Sequence, residues 1–135
     1  MSILVKRVYD SPDPTDGVRV LVDRLWPRGI SKEAAALDSW AKDATPSTEL
    51  RKSWHGDPRG HEPERYAAFA DAYREELSRE PALGAVRDLA ELARAAERPG
   101  AAPLTLVTGV KDPERSHVPV LVEAITAALG GVAAS

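Results

Sequence analysis

Residues 104–110, Leu-Thr-Leu-Val-Thr-Gly-Val, form a continuous apolar, β-prone run. A strand with one face in water alternates apolar and polar side chains, whereas an unbroken run suits a strand covered on both faces. The segments around it supply cover. Residues 82–97 place Leu83, Val86, Ala90 and Ala93 on one helical face with Leu89 beside them, and Pro99-Gly100 stops that helix. From about Pro119, Leu121, Ala124, Ile125 and Ala128 line the inner face of a final helix, which Gly130-Gly131 is expected to end. A helix–strand–helix succession of this kind is typical of a mainly parallel sheet.

The rest of the chain fits one small α/β domain. Residues 3–9 and 18–23 read as strands rich in branched side chains. Between them, Asp10 to Gly17 holds two Pro, three Asp and a Gly, so it is a turn or loop. That loop has no room for a helix, so the first two strands are either antiparallel neighbours or members of a mixed sheet. Ser31 caps a short helix, and Ser39 to Lys42 suits a short strand. A helix starts at Pro46 and ends near Gly56. Residues 62–79 place Tyr66, Phe69, Ala70, Tyr73 and Leu77 at helical spacing, and their many charges read as a solvated outer face. The expected fold is a single compact α/β domain over residues 1–135, a small mainly parallel or mixed sheet with helices packed around it. No internal repeat and no domain linker interrupts it.

Composition excludes several functions. The chain has no Cys, which removes disulfides, thiolate nucleophiles and Cys-based zinc sites. A net charge of -3 argues against a grip on duplex backbone, so no nucleic-acid partner is expected. No apolar run approaches the roughly 20 residues that span a bilayer, and the N-terminal Met1 to Arg7 lacks a signal-peptide core. The expectation is a cytoplasmic protein with no membrane partner. Walker, Gly-x-Gly-x-x-Gly and Gly-x-Ser-x-Gly motifs are absent, and no cofactor is implied.

Polar residues gather just after the strands. Asp10 follows the first; Asp23, Arg24, Trp26 and Arg28 the second; Lys42 and Asp43 the third; Lys111, Asp112 and His117 the last. Ligands of open α/β sheets bind outside the carboxyl ends of the strands, so these segments converge on one pocket if the strands are parallel. Arg51 to His55 is placed to roof it. Each feature also has a structural explanation. Arg24, Arg28 and Arg51 suit bidentate anion binding, or pairing with Asp23 or Asp43. Trp26 and Trp54 suit stacking on a ring, or packing in core and lid. His55 and His117 are the acid–base candidates near neutrality, although Ser116 and Pro119 also mark His117 as a helix entrance; His61 sits at another helix start. His55 with Asp57, or His117 with Asp112, has no recognised metal spacing, so no metal is expected. Pro27 fixes the backbone before Arg28 and Gly29 frees it afterwards, a turn that aims one side chain in a set direction.

One string carries more than its parts. Val20-Leu-Val-Asp-Arg-Leu-Trp-Pro-Arg-Gly29, then Ala36-Leu37-Asp38, Trp40 and Ala44-Thr-Pro-Ser-Thr-Glu-Leu-Arg51, resembles the short, YeaO-like branch of the DUF488 family. Lys6 to Asp10 and Lys111-Asp112 fit as well, and the match runs from about residue 3 to 125. The resemblance implies a compact α/β domain and a shared motif, not a mechanism. Longer members carry Cys and His after the last strand; this chain has no Cys there, which removes a thiol-based role.

Two functions fit these residues. The first is an enzyme acting on a small anionic, nucleotide-like or phosphorylated metabolite. Arg24, Arg28, Arg51 and Lys111 would hold the anion, with Lys42, Trp26, Trp54 and His55 also lining the site. Asp23, Asp112 or His117 would move a proton. The second is a non-catalytic module that binds a small ligand or a partner protein on the same face. Several ionisable groups in one pocket favour the first; the missing nucleophile and cofactor motifs favour the second. The sequence leaves the oligomeric state open.

Overall fold

The computed structural model describes residues 3–134, with side chains described for residues 3–130. The elements in chain order are β1 (Ile3–Arg7), β2 (Val18–Leu21), α1 (Lys32–Ala35), β3 (Ser39–Trp40), α2 (Thr48–His55), α3 (Pro63–Leu77), α4 (Ala82–Ala95), β4 (Leu104–Thr108) and α5 (Val118–Ala134). Short 3-10 turns at Pro14–Asp16, Lys42–Ala44 and Pro113–Arg115 punctuate the loops. Strands and helices are shorter than the sequence runs, with one exception. α5 passes through Gly130 and Gly131 to Ala134, so the glycine pair does not end it.

The sheet has the order β1-β4-β2-β3, and every pairing is parallel. β4 is internal and all five of its residues are buried, as its apolar run demands. β1 and β2 are not neighbours: they flank β4 on either side. The expected choice between antiparallel and mixed pairing is therefore replaced by a parallel crossover. The loop between them achieves this without a helix because it lies against β4. Thr105 Oγ1 donates to the Asp16 carbonyl at 2.5 Å, and the Val18 amide donates to the Pro103 carbonyl at 3.0 Å. Gly17 makes the approach possible. Its φ is +67°, and a Cβ there would lie 2.1 Å from the Pro103 oxygen.

The two faces of the sheet are covered differently. Val20, Val22, Leu104 and Leu106 pack against Phe69, Tyr73, Val86, Leu89, Leu121 and Ile125 of α3, α4 and α5. Each fully buried Leu there contributes roughly 2 kcal/mol. The opposite face holds a smaller cluster of Val8, Ala35 and Val107, closed by Trp26, Ile30 and Leu37. The long helices thus form one layer, while α1 and loops cover the other side.

The thinner side carries a buried ion cluster that composition alone does not reveal. Arg19 is 4% exposed and Asp16 5%. Arg19 Nη1 meets Asp16 Oδ2 at 2.6 Å, and Lys6 Nζ donates to both Asp16 oxygens at 3.1 Å. The other Arg19 nitrogens donate to the carbonyls of Ala35 and Ala36. Burial alone would raise the Asp16 pKa; the Asp13 amide with Lys6 and Arg19 outweighs it and holds the carboxyl below its ordinary value. The cluster joins β1, β2, α1 and the crossover loop.

Candidate functional site

Because the strands are parallel, the segments that leave them emerge at one end of the sheet. Asp23 stands two residues past β2. Its Oδ1 accepts the Thr108 hydroxyl at 2.6 Å and its Oδ2 accepts the Gly109 amide at 2.7 Å. The carboxylate therefore fastens the exit of β2 to the exit of β4. Gly109 packs closely: a Cβ there would sit 3.2 Å from Pro27 and 3.3 Å from Asp23 Oδ2, so a larger residue would push these neighbours by a few tenths of an ångström.

His117 enters the same end from the start of α5, whose Leu121 amide bonds the His117 carbonyl. His117 is 7% exposed, with Nε2 2.5 Å from the Val22 carbonyl. A carbonyl oxygen only accepts, so Nε2 carries the proton. Asp23 Oδ1 lies 3.6 Å from the same nitrogen. Burial lowers the His117 pKa; the Val22 bond and the Asp23 charge oppose it without prevailing. A lowered pKa favours the neutral imidazole at pH 7, and the ring ties the start of α5 to the residue just past β2.

The arginines divide into two kinds. Arg24 is spent on backbone: Nε donates to the Pro46 carbonyl at 2.7 Å and Nη2 to the Thr45 carbonyl at 3.3 Å. Arg28, exposed, and Arg51, half-buried, line the same cavity, and among the described residues neither guanidinium has a hydrogen-bond or ion-pair partner. Gly29 holds φ +75°, so the turn after Arg28 uses the freedom that glycine alone provides cheaply.

The cavity these groups enclose measures about 320 Å³. Asp23, Arg24, Arg28, Arg51, Trp54, His55 and His117 of the expected site all line it. Trp54 stacks on Phe69 with ring centroids 4.1 Å apart and donates its indole N–H to the Gly60 carbonyl at 3.1 Å. His55 stands one helical turn from Arg51; partial burial, then the Arg51 charge, lowers its pKa.

Four expected residues lie elsewhere. Trp26 turns under the sheet, where its indole donates to the Ile30 carbonyl at 2.8 Å and meets Trp40 edge-on. Its large apolar surface is used in packing. Lys42 sits beyond the short β3, its ammonium 5.3 Å from the Trp40 ring centre. Lys111 is exposed and lines neither this cavity nor its neighbour. Asp112 lines an adjoining cavity of about 640 Å³ on the far side of Trp54 and His55, together with Asp57, His61 and Glu114. β4 ends at Thr108, so Gly109 and Val110 make the turn at the site and Lys111-Asp112 are already past it.

Tyr9, Leu25, Pro27, Phe69 and Val110 also line the cavity and escaped the sequence reading. The sequence places Tyr9 inside the first strand, but β1 ends at Arg7, so Tyr9 belongs with Asp10 to the segment that leaves it. Leu25 lies inside the Asp-Arg-Leu-Trp-Pro-Arg-Gly string but outside any strand or helix, so no period marks it.

The profile of the family described as "Inactive DUF488-N3 subclade" matches residues 2–134. The chain belongs to the DUF488 family. The Escherichia coli protein "Uncharacterized protein YeaO" is 45% identical over 123 residues, covering 91% of this chain and 96% of the relative. An uncharacterised protein of Mycobacterium bovis is 42% identical over 121 residues, covering 90% and 91%. No solved structure matches the chain. This DUF488 domain has no helix among its described residues long and apolar enough to cross a membrane, and no group of three His, Asp or Glu side chains there that could hold a metal ion.

Proposed function

We propose that this protein is a non-catalytic binding module for a small anionic metabolite, phosphorylated or carboxylate-bearing, held by Arg28 and Arg51. The observation that carries this is the contrast inside one cavity. Asp23, Arg24 and His117 are committed to other protein groups, whereas Arg28 and Arg51 line the same space with guanidiniums that have no hydrogen-bond or ion-pair partner among the described residues. A guanidinium is planar, always charged and matched to phosphate or carboxylate oxygens. The word "inactive" in the family's description supports binding over turnover.

The approach of His117 to Asp23 at 3.6 Å favours a second reading, an enzyme on the same anion with His117 moving the proton. Against it, the Nε2 proton is donated to the Val22 carbonyl, and both Asp23 oxygens already accept hydrogen bonds. A thermal-shift screen of phosphorylated and carboxylate metabolites tests the binding proposal. A ligand at a hundred times its Kd adds about 2.7 kcal/mol, or roughly 10 °C for a domain of this size. No shift with any anion across the screen contradicts it, and conversion of a binding compound by the purified protein supports the enzyme instead.

A further inference from the structure

The walls of the cavity say more about its ligand than its charges do. Among the described residues five large apolar side chains are exposed: Leu4 46%, Val5 43%, Tyr9 48%, Leu25 55% and Trp40 39%. Leu4, Val5 and Trp40 belong to the two edge strands of the sheet. The two most exposed, Leu25 and Tyr9, both line the cavity that holds Arg28 and Arg51.

Neither is a loosely hanging surface residue. Leu25 is flanked on both sides by anchored neighbours. The Arg24 guanidinium is fastened to the carbonyls of residues 45 and 46, and the Trp26 indole to the Ile30 carbonyl. The chain between these anchors leaves Leu25 projecting into solvent. Tyr9 is fixed twice. Its hydroxyl donates to the Arg28 carbonyl at 3.0 Å, and the Arg7 guanidinium lies 5.2 Å from its ring centre. Trp54 completes the wall. Its N–H is satisfied by Gly60 and its ring is backed by Phe69, so it offers the cavity only apolar surface. Aromatic rings held this way bind flat apolar groups with little ordering cost.

We infer that the anion taken by this cavity is amphiphilic: an anionic head on Arg28 and Arg51, and a flat apolar body, such as an aryl ring, against Leu25, Tyr9 and Trp54. This rests on the anion-binding role proposed above and narrows it to a ligand class. A cavity of about 320 Å³ lies at the small end of the range for organic ligands, roughly 300–1,000 Å³, which fits a head and a single ring system better than a long chain. A sugar phosphate has the head but not the body. Where the body of the ligand lies, its hydroxyls would meet the Leu25 side chain and the Tyr9 and Trp54 rings, which return no hydrogen bonds, at the cost of their hydration.

Isothermal titration of the full chain with inorganic phosphate, ribose 5-phosphate, phenyl phosphate, acetate and benzoate tests this. The expected result is phenyl phosphate at least tenfold tighter than inorganic phosphate, benzoate tighter than acetate by a similar factor, and ribose 5-phosphate no tighter than inorganic phosphate. Leu25→Ala removes an exposed side chain and is expected to leave Tm unchanged. It is expected to cut the aryl advantage at least threefold while leaving inorganic phosphate affinity unchanged. Equal binding of phenyl and inorganic phosphate, or an aryl advantage that survives Leu25→Ala, overturns the ligand class while the anion site stands. Failure of every one of these anions to bind overturns both.

Discussion

The Asp23 carboxylate and the Gly109 amide meet at 2.7 Å, and this contact joins the exits of two adjacent parallel strands at the floor of the cavity. Thr108 fills the other oxygen of the same carboxylate. Asp23 thus holds the shape of the site. Asp23→Asn replaces one acceptor with an amide that faces a donor, leaving a group unpaired at a cost of about 1–3 kcal/mol. The expected outcome is a lowered Tm with anion affinity retained or tightened, since a negative charge leaves the cavity. Unchanged Tm in the variant contradicts the clamp.

The cluster of Arg19, Asp16 and Lys6 sets a second expectation. Removing Arg19 leaves Asp16 with Lys6 as its ion-pair partner, and breaking a buried ion pair typically costs about 3 kcal/mol or more. Arg19→Ala is expected to lower Tm by roughly 10 °C while leaving anion binding unchanged, because the cluster lies on the sheet face away from α3, α4 and α5. Asp16 has a lowered pKa in the fold. Its contribution is therefore full above the unfolded carboxylate value near 3.9 and is lost as pH falls through the lower folded value. Differential scanning calorimetry of the wild type and Arg19→Ala measures the first effect directly.

His117 sets a pH window of its own. Burial holds its folded pKa below the unfolded value of about 6.5. Below that value the unfolded chain takes up more protons than the folded one, so stability rises with pH through the window. The contribution is complete above about 6.5 and declines as pH falls towards the folded pKa. His117→Gln keeps an N–H for the Val22 carbonyl but cannot titrate. Wild-type Tm is expected to fall more steeply than that of the variant between about pH 7 and pH 5. An NMR titration placing the His117 midpoint above 6.5 would contradict the assignment of a neutral, structural imidazole.

Much of this organisation is legible in the sequence. The run at 104–108 marks the internal strand, because burial on both faces leaves no charged position and its two threonines spend their hydroxyls on Asp16 and Asp23. Ser31 caps its helix as a short hydroxyl side chain does, accepting the amide of Ala34, whereas the helix read from Pro46 is capped by Ser47, which accepts the amide of Leu50. The parallel crossover from β1 to β2 is not legible. It depends on Gly17, where a Cβ would lie 2.1 Å from the Pro103 oxygen, and on a bond between residues 89 apart, Thr105 and Asp16. The site shows the same division. Position after a strand places Asp23, Arg28 and His117 near one another, but it cannot say which side chains are spent. Arg24 and Arg28 lie four residues apart in one motif, and only the carbonyls of Thr45 and Pro46 distinguish their tasks. Trp26 misleads for a similar reason: a Trp beside charged residues suits a ligand platform or a packed strut, and Ile30 decides between them.

The most direct test of the account is anion affinity in Arg28 variants, read beside their Tm. Arg28 is exposed, lines the cavity and has no protein partner for its guanidinium among the described residues. Loss of a charged hydrogen bond to a ligand is worth about 1.5–3 kcal/mol, roughly tenfold to a hundredfold in Kd. Arg28→Ala is expected to weaken phenyl phosphate binding by that factor with Tm nearly unchanged. Arg28→Lys keeps the charge but loses the planar fork, so it is expected to weaken binding nearly as much. An Arg28→Ala protein that melts several degrees lower yet binds the anion as tightly as wild type makes Arg28 scaffold and contradicts the anion site.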